Sequence, residues 1–391
     1  MRIAIVSNWA IPPRRRIGGA QVYAAELARR LAPEHDVVVL SGAAELPLPG
    51  VRHVSLPHQR YLHPSEPDVR KALWHLRDQW RPSVHRALKA ALLDIRPDVV
   101  HTQEPQGLSA AVFTATTASH AAHVHTAHDL NLLCVRTTMT VDGRYCGGRC
   151  ARCLVQRNVR ARLAGREMDR LIAPSDFMRE LHVSRGVVAP DAAVTIRQPA
   201  REAPARERQP DGHGLHVGFM GNLSQHKGIL TLIQAFGSAP ADWELHIAGD
   251  GLLDADVHLA AQADDRMTHH GYLTGEEKDR FFDGLDVLVF PSEYEENAPL
   301  IAAEAGVRGL PCLVSDRGGL PETPQAWKFH AGDAAGLLDA LRRIAADPQA
   351  IAKASQALLS SREDFLWPRH LERVQEVYTD AIATRRRRMA L

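Results

Sequence analysis

At 391 residues the chain exceeds the roughly 100–200 residues of an ordinary domain, so two domains are expected and a small scaffold stapled by disulfides is excluded. A hydrophobic share of 45% with 24% charged residues is that of a soluble globular protein and excludes a disordered chain. The 47 Lys and Arg against 46 Asp and Glu leave a net charge of +1, which gives no general attraction to nucleic acid or to an anionic membrane; an anionic ligand has to be met locally.

Arg2–Ser7 (RIAIVS) is a short β-branched run ending at polar residues, the pattern of a buried parallel strand. Gly18-Gly19 then opens Ala20–Leu31, where Val22, Leu27 and Leu31 recur at near-helical spacing. Val37–Leu40, Pro97–His101 and His123–Thr126 read as further strands, with helices around Trp74–Leu93 and Gly107–Ala118. Such βα alternation implies a parallel, doubly wound sheet. Gln198–Gly214 is polar and rich in Pro and Arg, and reads as a linker.

After it the alternation restarts: strands at Leu215–Met220, Glu244–Ala248, His269–Tyr272, Val287–Phe290 and Pro311–Ser315, and helices at Ile229–Phe236, Gly275–Leu285 and Pro299–Arg308. A last helix covers Arg369–Ala383, and the four arginines Arg385–Arg388 read as a solvated, frayed tail. No stretch approaches the ~18–20 apolar residues of a spanning helix, and Met1–Asn8 is too short for a signal-peptide core, so a cytoplasmic protein is expected.

Pro291–Glu322 (PSEYEENAPLIAAEAGVRGLPCLVSDRGGLPE) is the most informative window. Pro299 suits a first helical turn, so free amides near Ala298 should point back towards Glu296. Glu304 would then sit about two turns into the helix, on a side that can face the same cleft. Carboxylates bind vicinal sugar hydroxyls, and a helix N-terminus binds phosphate. A sugar nucleotide presents both groups. Gly221–Gly228 (GNLSQHKG) follows a strand at its C-terminal end, where Lys227 can neutralise a diphosphate; taken alone it reads equally well as a surface lysine. Gly249-Asp250-Gly251 is a turn at the same sheet edge.

The pattern Glu296-x7-Glu304, with Pro291-Ser292 before it and Gly309-x-Pro311 and Gly318-Gly319-x-Pro321-Glu322 after it, resembles the retaining glycosyltransferases of family 4, as does Gly221…Lys227-Gly228. Gly18-Gly19, Val99-Val100-His101, Thr126-Ala127-His128-Asp129 and Ala173-Pro174-Ser175 resemble that family's N-terminal half, so the resemblance spans nearly the whole chain. It implies an α/β protein of the GT-B fold, two Rossmann-like doubly wound domains facing each other across a cleft. Residues 1–197 would bind acceptor, 198–214 would link, 215–366 would bind the nucleotide sugar, and 367–391 would cross back to the first domain.

The resemblance further implies roles. Glu296 would hold a donor-sugar hydroxyl, Glu304 the ribose hydroxyls and Lys227 the diphosphate, helped by the amides of Asn297, Ala298 and Leu300. Gly19 would let the acceptor domain approach the phosphates, His128 would touch the transferred sugar, and Gly271, Tyr272 and Leu273 would cradle the base. The family usually has Arg where this chain has Asn222, which removes a positive charge; either an Arg from elsewhere, such as Arg317, replaces it or phosphate stabilisation rests more on Lys227 and the helix amides. Lys and amide donors stabilise a departing diphosphate without a metal, so no catalytic magnesium is expected; Asp254-Ala-Asp256 reads as a surface helix start rather than a metal motif.

Four of the five cysteines, Cys134, Cys146, Cys150 and Cys153, cluster in a loop-like segment rich in glycine, a set that suits a structural zinc ion. Cys146-x3-Cys150-x2-Cys153 also matches the iron–sulfur spacing of radical enzymes that use S-adenosylmethionine, a rival of a different class. A non-catalytic sugar-nucleotide sensor is a third reading. The expected function is retaining transfer from a nucleotide-diphosphate sugar, UDP- or GDP-linked, to a small soluble acceptor, with membrane association left open by the arginine tail and nucleic acid excluded as a partner.

Overall fold

A computed structural model describes residues 1–8, 19–43, 48–59, 66–141, 144–147, 151–209 and 214–390. The chain divides into two units: Met1–Met139 with Cys146–Ile196 and Leu371–Leu391, and Arg197–His370 with Thr140–Tyr145.

In the N-terminal unit the strands are β1 (Arg2–Ser7), β2 (Asp36–Ser41), β3 (Arg52–Ser55), β4 (Val99–Thr102) and β5 (Ala122–Thr126). After a short antiparallel pair, β6 (Thr140–Val141) and β7 (Arg144–Tyr145), come β8 (Arg170–Ala173) and β9 (Ala193–Thr195). All but β6 and β7 form one sheet in the order β3-β2-β1-β4-β5-β8-β9, with parallel pairing throughout. Alternate residues explain the near-continuous apolar runs. Ala4, Val6, Val38, Leu40 and Val100 pack on Val84, Leu88 and Leu92 of the helix Pro82–Ile95, whereas Ile3 and Ile5 belong to the opposite face, beside the helix Gly19–Leu31. That helix buries Leu27 and Leu31 as their spacing predicts, together with Gln21 and Tyr23, and leaves only Val22 of the predicted stripe exposed.

The second unit repeats the topology. Its strands β10 (His216–Met220), β11 (Glu244–Ala248), β12 (Met267–Gly271), β13 (Val287–Phe290), β14 (Cys312–Ser315) and β15 (Trp327–Phe329) are ordered β12-β11-β10-β13-β14-β15, again all parallel. In both sheets the order reverses beside the first strand, and ligands bind doubly wound sheets at the C-terminal strand ends near that switch. One face packs on Leu232 and Phe236 of the helix Ile229–Phe236, and the other on Phe281, Phe282 and Ala305.

Several expectations shift. The helix predicted around Trp74–Leu93 is two helices, Asp68–Arg77 and Pro82–Ile95, because Pro82 cannot continue a helix but can start one. Residues 198–209 carry no regular structure yet are pinned to the second unit: the Ala200 amide donates to the Phe365 carbonyl at 2.7 Å, and the buried Arg208 guanidinium donates to the carbonyls of Asp283 and Leu285 at 2.9 and 3.0 Å. The arginine run is not a frayed tail. The last helix extends over Trp367–Met389, and Arg385 and Arg388 reach the fully buried Asp169 at 2.9 and 3.0 Å. Asp254 and Asp256 do open a surface helix, Asp254–Ala263. Among the described residues no helix is long and apolar enough to cross a membrane.

Candidate functional site

At the C-terminal end of β10 the chain makes a single 3-10 turn, Gln225–Lys227, followed by Gly228 at φ +70°. A Cβ there would lie 1.8 Å from the Pro291 carbonyl oxygen, so only glycine lets this turn pack against the segment that leaves β13. The Glu293 amide donating to the His226 carbonyl at 2.9 Å and Thr231 Oγ1 donating to Glu293 at 2.7 Å join the two segments.

Lys227 Nζ thereby meets Glu296 Oε1 at 2.5 Å and donates to Tyr294 Oη at 3.0 Å. Tyr294 Oη donates to Glu296 Oε2 at 2.7 Å, and Ser292 Oγ donates to Oε1 at 2.9 Å. Burial pushes the Glu296 carboxyl up, but the Lys227 ammonium and the two hydroxyls outweigh it and hold the group below its ordinary range. Lys227 is shifted upward: burial lowers it and the attraction of Glu296 more than compensates. Both charges therefore persist across physiological pH. Tyr294 is raised mainly by burial and stays a neutral phenol.

The Gly318-Gly319 loop supports the cluster from behind. Gly318 has φ +57°, and its Cβ would fall 2.0 Å from the Glu296 carbonyl oxygen. Its amide donates to Glu295 Oε2 at 2.6 Å, and that of Gly319 to the Glu296 carbonyl at 2.8 Å.

Glu304 belongs to a second cluster. It lies on the helix Leu300–Val307 and forms an ion pair with Lys278 of the helix Gly275–Asp283. The helix starts later than expected, with Pro299 as an extended N-cap (φ −67°, ψ 131°). Asn297 and Ala298 thus precede the helix, only Leu300 is in its first turn, and Glu304 is little more than one turn in, because proline's preference for extended backbone at this position ends the loop there. Asn222 Nδ2 donates to the Asp250 carbonyl at 3.3 Å, and Arg317 Nε lies 3.7 Å from Asp316. Gly271 ends β12 at φ +65° and accepts from the Gly249 amide at 2.7 Å; Tyr272 is half exposed and Leu273 packs on the core.

In the N-terminal unit Gly19 is the first residue of its helix, and Gly18 lies outside the described residues. His128 follows β5, its ring edge-on to Tyr23 at 4.9 Å. Its Nε2 is 2.6 Å from Gln103 Oε1, Gln103 Nε2 is 2.9 Å from His101 Nε2, and His101 Nδ1 is 2.7 Å from Tyr378 Oη. The amide orientation sets the tautomers: His128 donates from Nε2, and His101 accepts at Nε2 and donates from Nδ1 to Tyr378.

The segment after His128 is clamped by a helical stretch with a π-helical turn at Arg157–Ala161. Arg160, buried in an ion pair with Asp78, donates to Asn131 Oδ1 at 2.5 Å, and Gln156 Nε2 donates to the Asn131 and Cys134 carbonyls at 2.7 and 3.1 Å. The cysteine segment is accordingly not all loop: Cys153 stands on the helix Ala151–Gln156, and its Sγ is 3.6 Å from that of Cys134, both buried in the apolar core. Cys146 is partly buried against the same core, and Cys150 lies outside the described residues.

Residues 17–199 match the model of Glycosyltransferase Family 4, and residues 214–360 that of the Glycosyl transferases group 1. The chain is a family 4-like glycosyltransferase of the GT-B fold. An uncharacterized 42.6 kDa protein in the cps region of Klebsiella pneumoniae is 23% identical over 82% of this chain and 87% of its own length. The 2-deoxystreptamine glucosyltransferase of Streptomyces kanamyceticus is 29% identical, over 44% of this chain and 46% of that protein. Among solved structures, Anabaena Alr3699/HepE in complex with UDP aligns with TM-score 0.73 at 15% identity, covering 97% of this chain and all of that one.

For this glycosyltransferase, two parallel Rossmann-like sheets, one in each unit, stand where the iron–sulfur reading needs a barrel, and no comparison supports that reading. Sequence reasoning missed three residues of the two carboxylate clusters and one partner of His128. Tyr294 and Ser292 lie inside the recognised window, and their hydroxyls could have been flagged as partners for Glu296; Lys278 and Gln103 left no local signal, since each meets its carboxylate or imidazole across more than 20 residues of chain.

Proposed function

We propose that this glycosyltransferase moves a hexosyl group from a nucleotide-diphosphate sugar, UDP-linked by preference, to a small soluble acceptor, with retention at the anomeric carbon and without a catalytic metal. The observation that carries the reading is the Lys227–Tyr294–Ser292–Glu296 cluster at the C-terminal ends of β10 and β13, where one fixed cation and one fixed carboxylate stand side by side. Lys227 neutralises the departing diphosphate, together with the amides of Asn297, Ala298 and Leu300, and Glu296 accepts from a donor-sugar hydroxyl. Glu304 serves the ribose, Gly271, Tyr272 and Leu273 the base, and Asn222 the edge of the phosphate site. Gly19 and His128 act on the acceptor side, His128 as a positioning residue.

In the transfer step an acceptor hydroxyl attacks the anomeric carbon on the face that the diphosphate leaves. The carbon–phosphate-oxygen bond breaks as the new glycosidic bond forms, and the acceptor proton passes to the leaving phosphate oxygen. Preorganised charge at Lys227 stabilises the developing negative charge without reorganisation at the moment of reaction. The UDP complex of the Anabaena protein supports the donor choice, and the acceptor named for the Streptomyces kanamyceticus relative supports a small polyol-like acceptor.

A structural zinc ion on Cys134, Cys146, Cys150 and Cys153 belongs to the same reading. Two thiolates on one tetrahedral zinc stand about 3.8 Å apart at a Zn–S length of about 2.3 Å, and the Cys134–Cys153 separation of 3.6 Å is of that size.

The deciding experiment is incubation with UDP-, GDP-, ADP- and dTDP-sugars, with and without EDTA, against a panel of cyclitol and aminocyclitol acceptors, with NMR assignment of the new anomeric centre. Metal-independent transfer with the donor's configuration retained is expected. An inverted product overturns the mechanism, and saturable nucleotide binding with neither transfer nor donor hydrolysis makes the protein a sensor.

A further inference from the structure

Strands β10 and β11 carry a second cluster at the end opposite to Lys227. His216 and Glu244 open the two strands and are paired directly across the parallel ladder, and His246, two residues on, shares the face of Glu244. His216 Nδ1 lies 3.9 Å and His246 Nε2 3.2 Å from Glu244 Oε2. The two imidazoles are nearly parallel, at 23° with centroids 6.1 Å apart, and one donor atom from each of the three side chains falls within 4.8 Å of the others.

We propose that His216, Glu244 and His246 bind a divalent transition-metal ion, with water completing the coordination. Three features carry this beyond a chance grouping. Two imidazoles and one carboxylate form a donor set for zinc, nickel, copper or cobalt rather than for magnesium or calcium, which take oxygen ligands. Metal–ligand lengths of about 2.0–2.1 Å place neighbouring donors roughly 3–3.5 Å apart; the Glu244–His246 pair already meets this, and the His216 pair needs a small side-chain rotation. His246 also has the support that ligating histidines use: its Nδ1 is 3.2 Å from His270 Nε2, a contact that orients the ring, and an ion bound between Nε2 and Glu244 would displace the proton now shared there. The backbone beneath is rigid, since the Glu244 amide donates to the Leu215 carbonyl at 3.1 Å at the start of the ladder. Glu244 is half exposed, which leaves room for ion entry and for bound water.

The ion would bridge two strands far from the donor cluster, so its effect is on stability and not on the transfer step. The test is a Co²⁺ titration of the full chain after removal of metal, read by visible absorption and by thermal unfolding. Wild type is expected to give a saturable ligand-field band without sulfur-to-cobalt charge transfer and to unfold at higher temperature with the ion. His216→Gln and His246→Gln should each weaken that binding at least tenfold and lose the thermal gain, with UDP-dependent stabilisation retained as a control for folding. Cobalt bound through the cysteines is separated by its sulfur charge-transfer band, which the histidine variants keep. Binding that both histidine variants retain at wild-type strength, or cobalt bound solely through sulfur, overturns the site.

Discussion

The Lys227 ammonium and the Glu296 carboxylate meet at 2.5 Å although 69 residues separate them in the chain. Each satisfies the other, so in the proposed reading a diphosphate and a sugar hydroxyl would meet partners already charged and already oriented. Glu296→Gln removes the carboxylate proposed to hold the donor sugar and leaves Lys227 without its counter-charge. Turnover should fall roughly 100-fold or more, while stability falls by about 1–3 kcal/mol, because Lys227 keeps 22% of its side chain in water and is not stranded in the interior. Steady-state kinetics beside urea unfolding check this, and wild-type turnover in the variant removes Glu296 from the site.

Tyr294 is the hinge of that pair, accepting from Lys227 and donating to Glu296. Tyr294→Phe keeps the ring under the ammonium, 5.1 Å from its centroid, and deletes only the hydroxyl. One buried hydrogen bond to a charged group is worth about 1.5–3 kcal/mol, so kcat/KM should drop roughly 10- to 100-fold. Glu296→Gln/Tyr294→Phe should lose less than the product of the two single losses, since the phenol acts through the carboxylate.

How far the sequence carried the fold follows from what each element buries. Strands β1, β2 and β13 are legible because both faces are covered and each carries an unbroken apolar run, Ile3–Val6, Val37–Leu40 and Val287–Phe290. Strand β3 (RHVS) is a half-exposed sheet edge and β9 spans only Ala193–Thr195, so neither leaves a periodic signal. In the site, Glu296 and Lys227 were legible as residue types at strand ends. That they pair with each other, that Lys278 takes Glu304, and that Gln103 holds His128 depend on loop approach at Gly228 and on helix packing, which no local spacing encodes.

The arginines near the C-terminus hold a buried carboxylate. Asp169, with no exposed surface, accepts from Arg385 and Arg388 and from the His123 amide at 2.8 Å. Breaking a buried pair from one side costs about 3–5 kcal/mol. Arg385→Ala/Arg388→Ala should therefore lower the unfolding temperature by several degrees, and Asp169→Asn should recover part of that loss by removing the unpaired charge. A double-alanine variant as stable as wild type returns these residues to a solvated tail.

Acid stability should be limited by the buried imidazoles of the N-terminal unit. Burial lowers His182 to about 4 and His123 to about 3, and pushes His125 well below its ordinary value. In the unfolded chain these groups titrate near 6.5, so between pH ~6.5 and ~4 the unfolded state binds protons that the folded state refuses. Their contribution is fully present above pH ~6.5 and is lost as pH falls; for His182 alone the loss approaches roughly 3 kcal/mol. Burial acts in the opposite sense on Asp129, raised to about 6, whose protonation in the fold stabilises it on acidification. Three imidazoles against this one carboxyl leave acid destabilisation as the net result. Urea unfolding at pH 7.5 and 4.5 should show the drop, and His182→Leu, which removes the ring and its 2.7 Å bond to the Met178 carbonyl, should lose baseline stability but flatten the pH dependence by about one proton. An unchanged slope in that variant would clear His182 and move the acid sensitivity to His123 and His125.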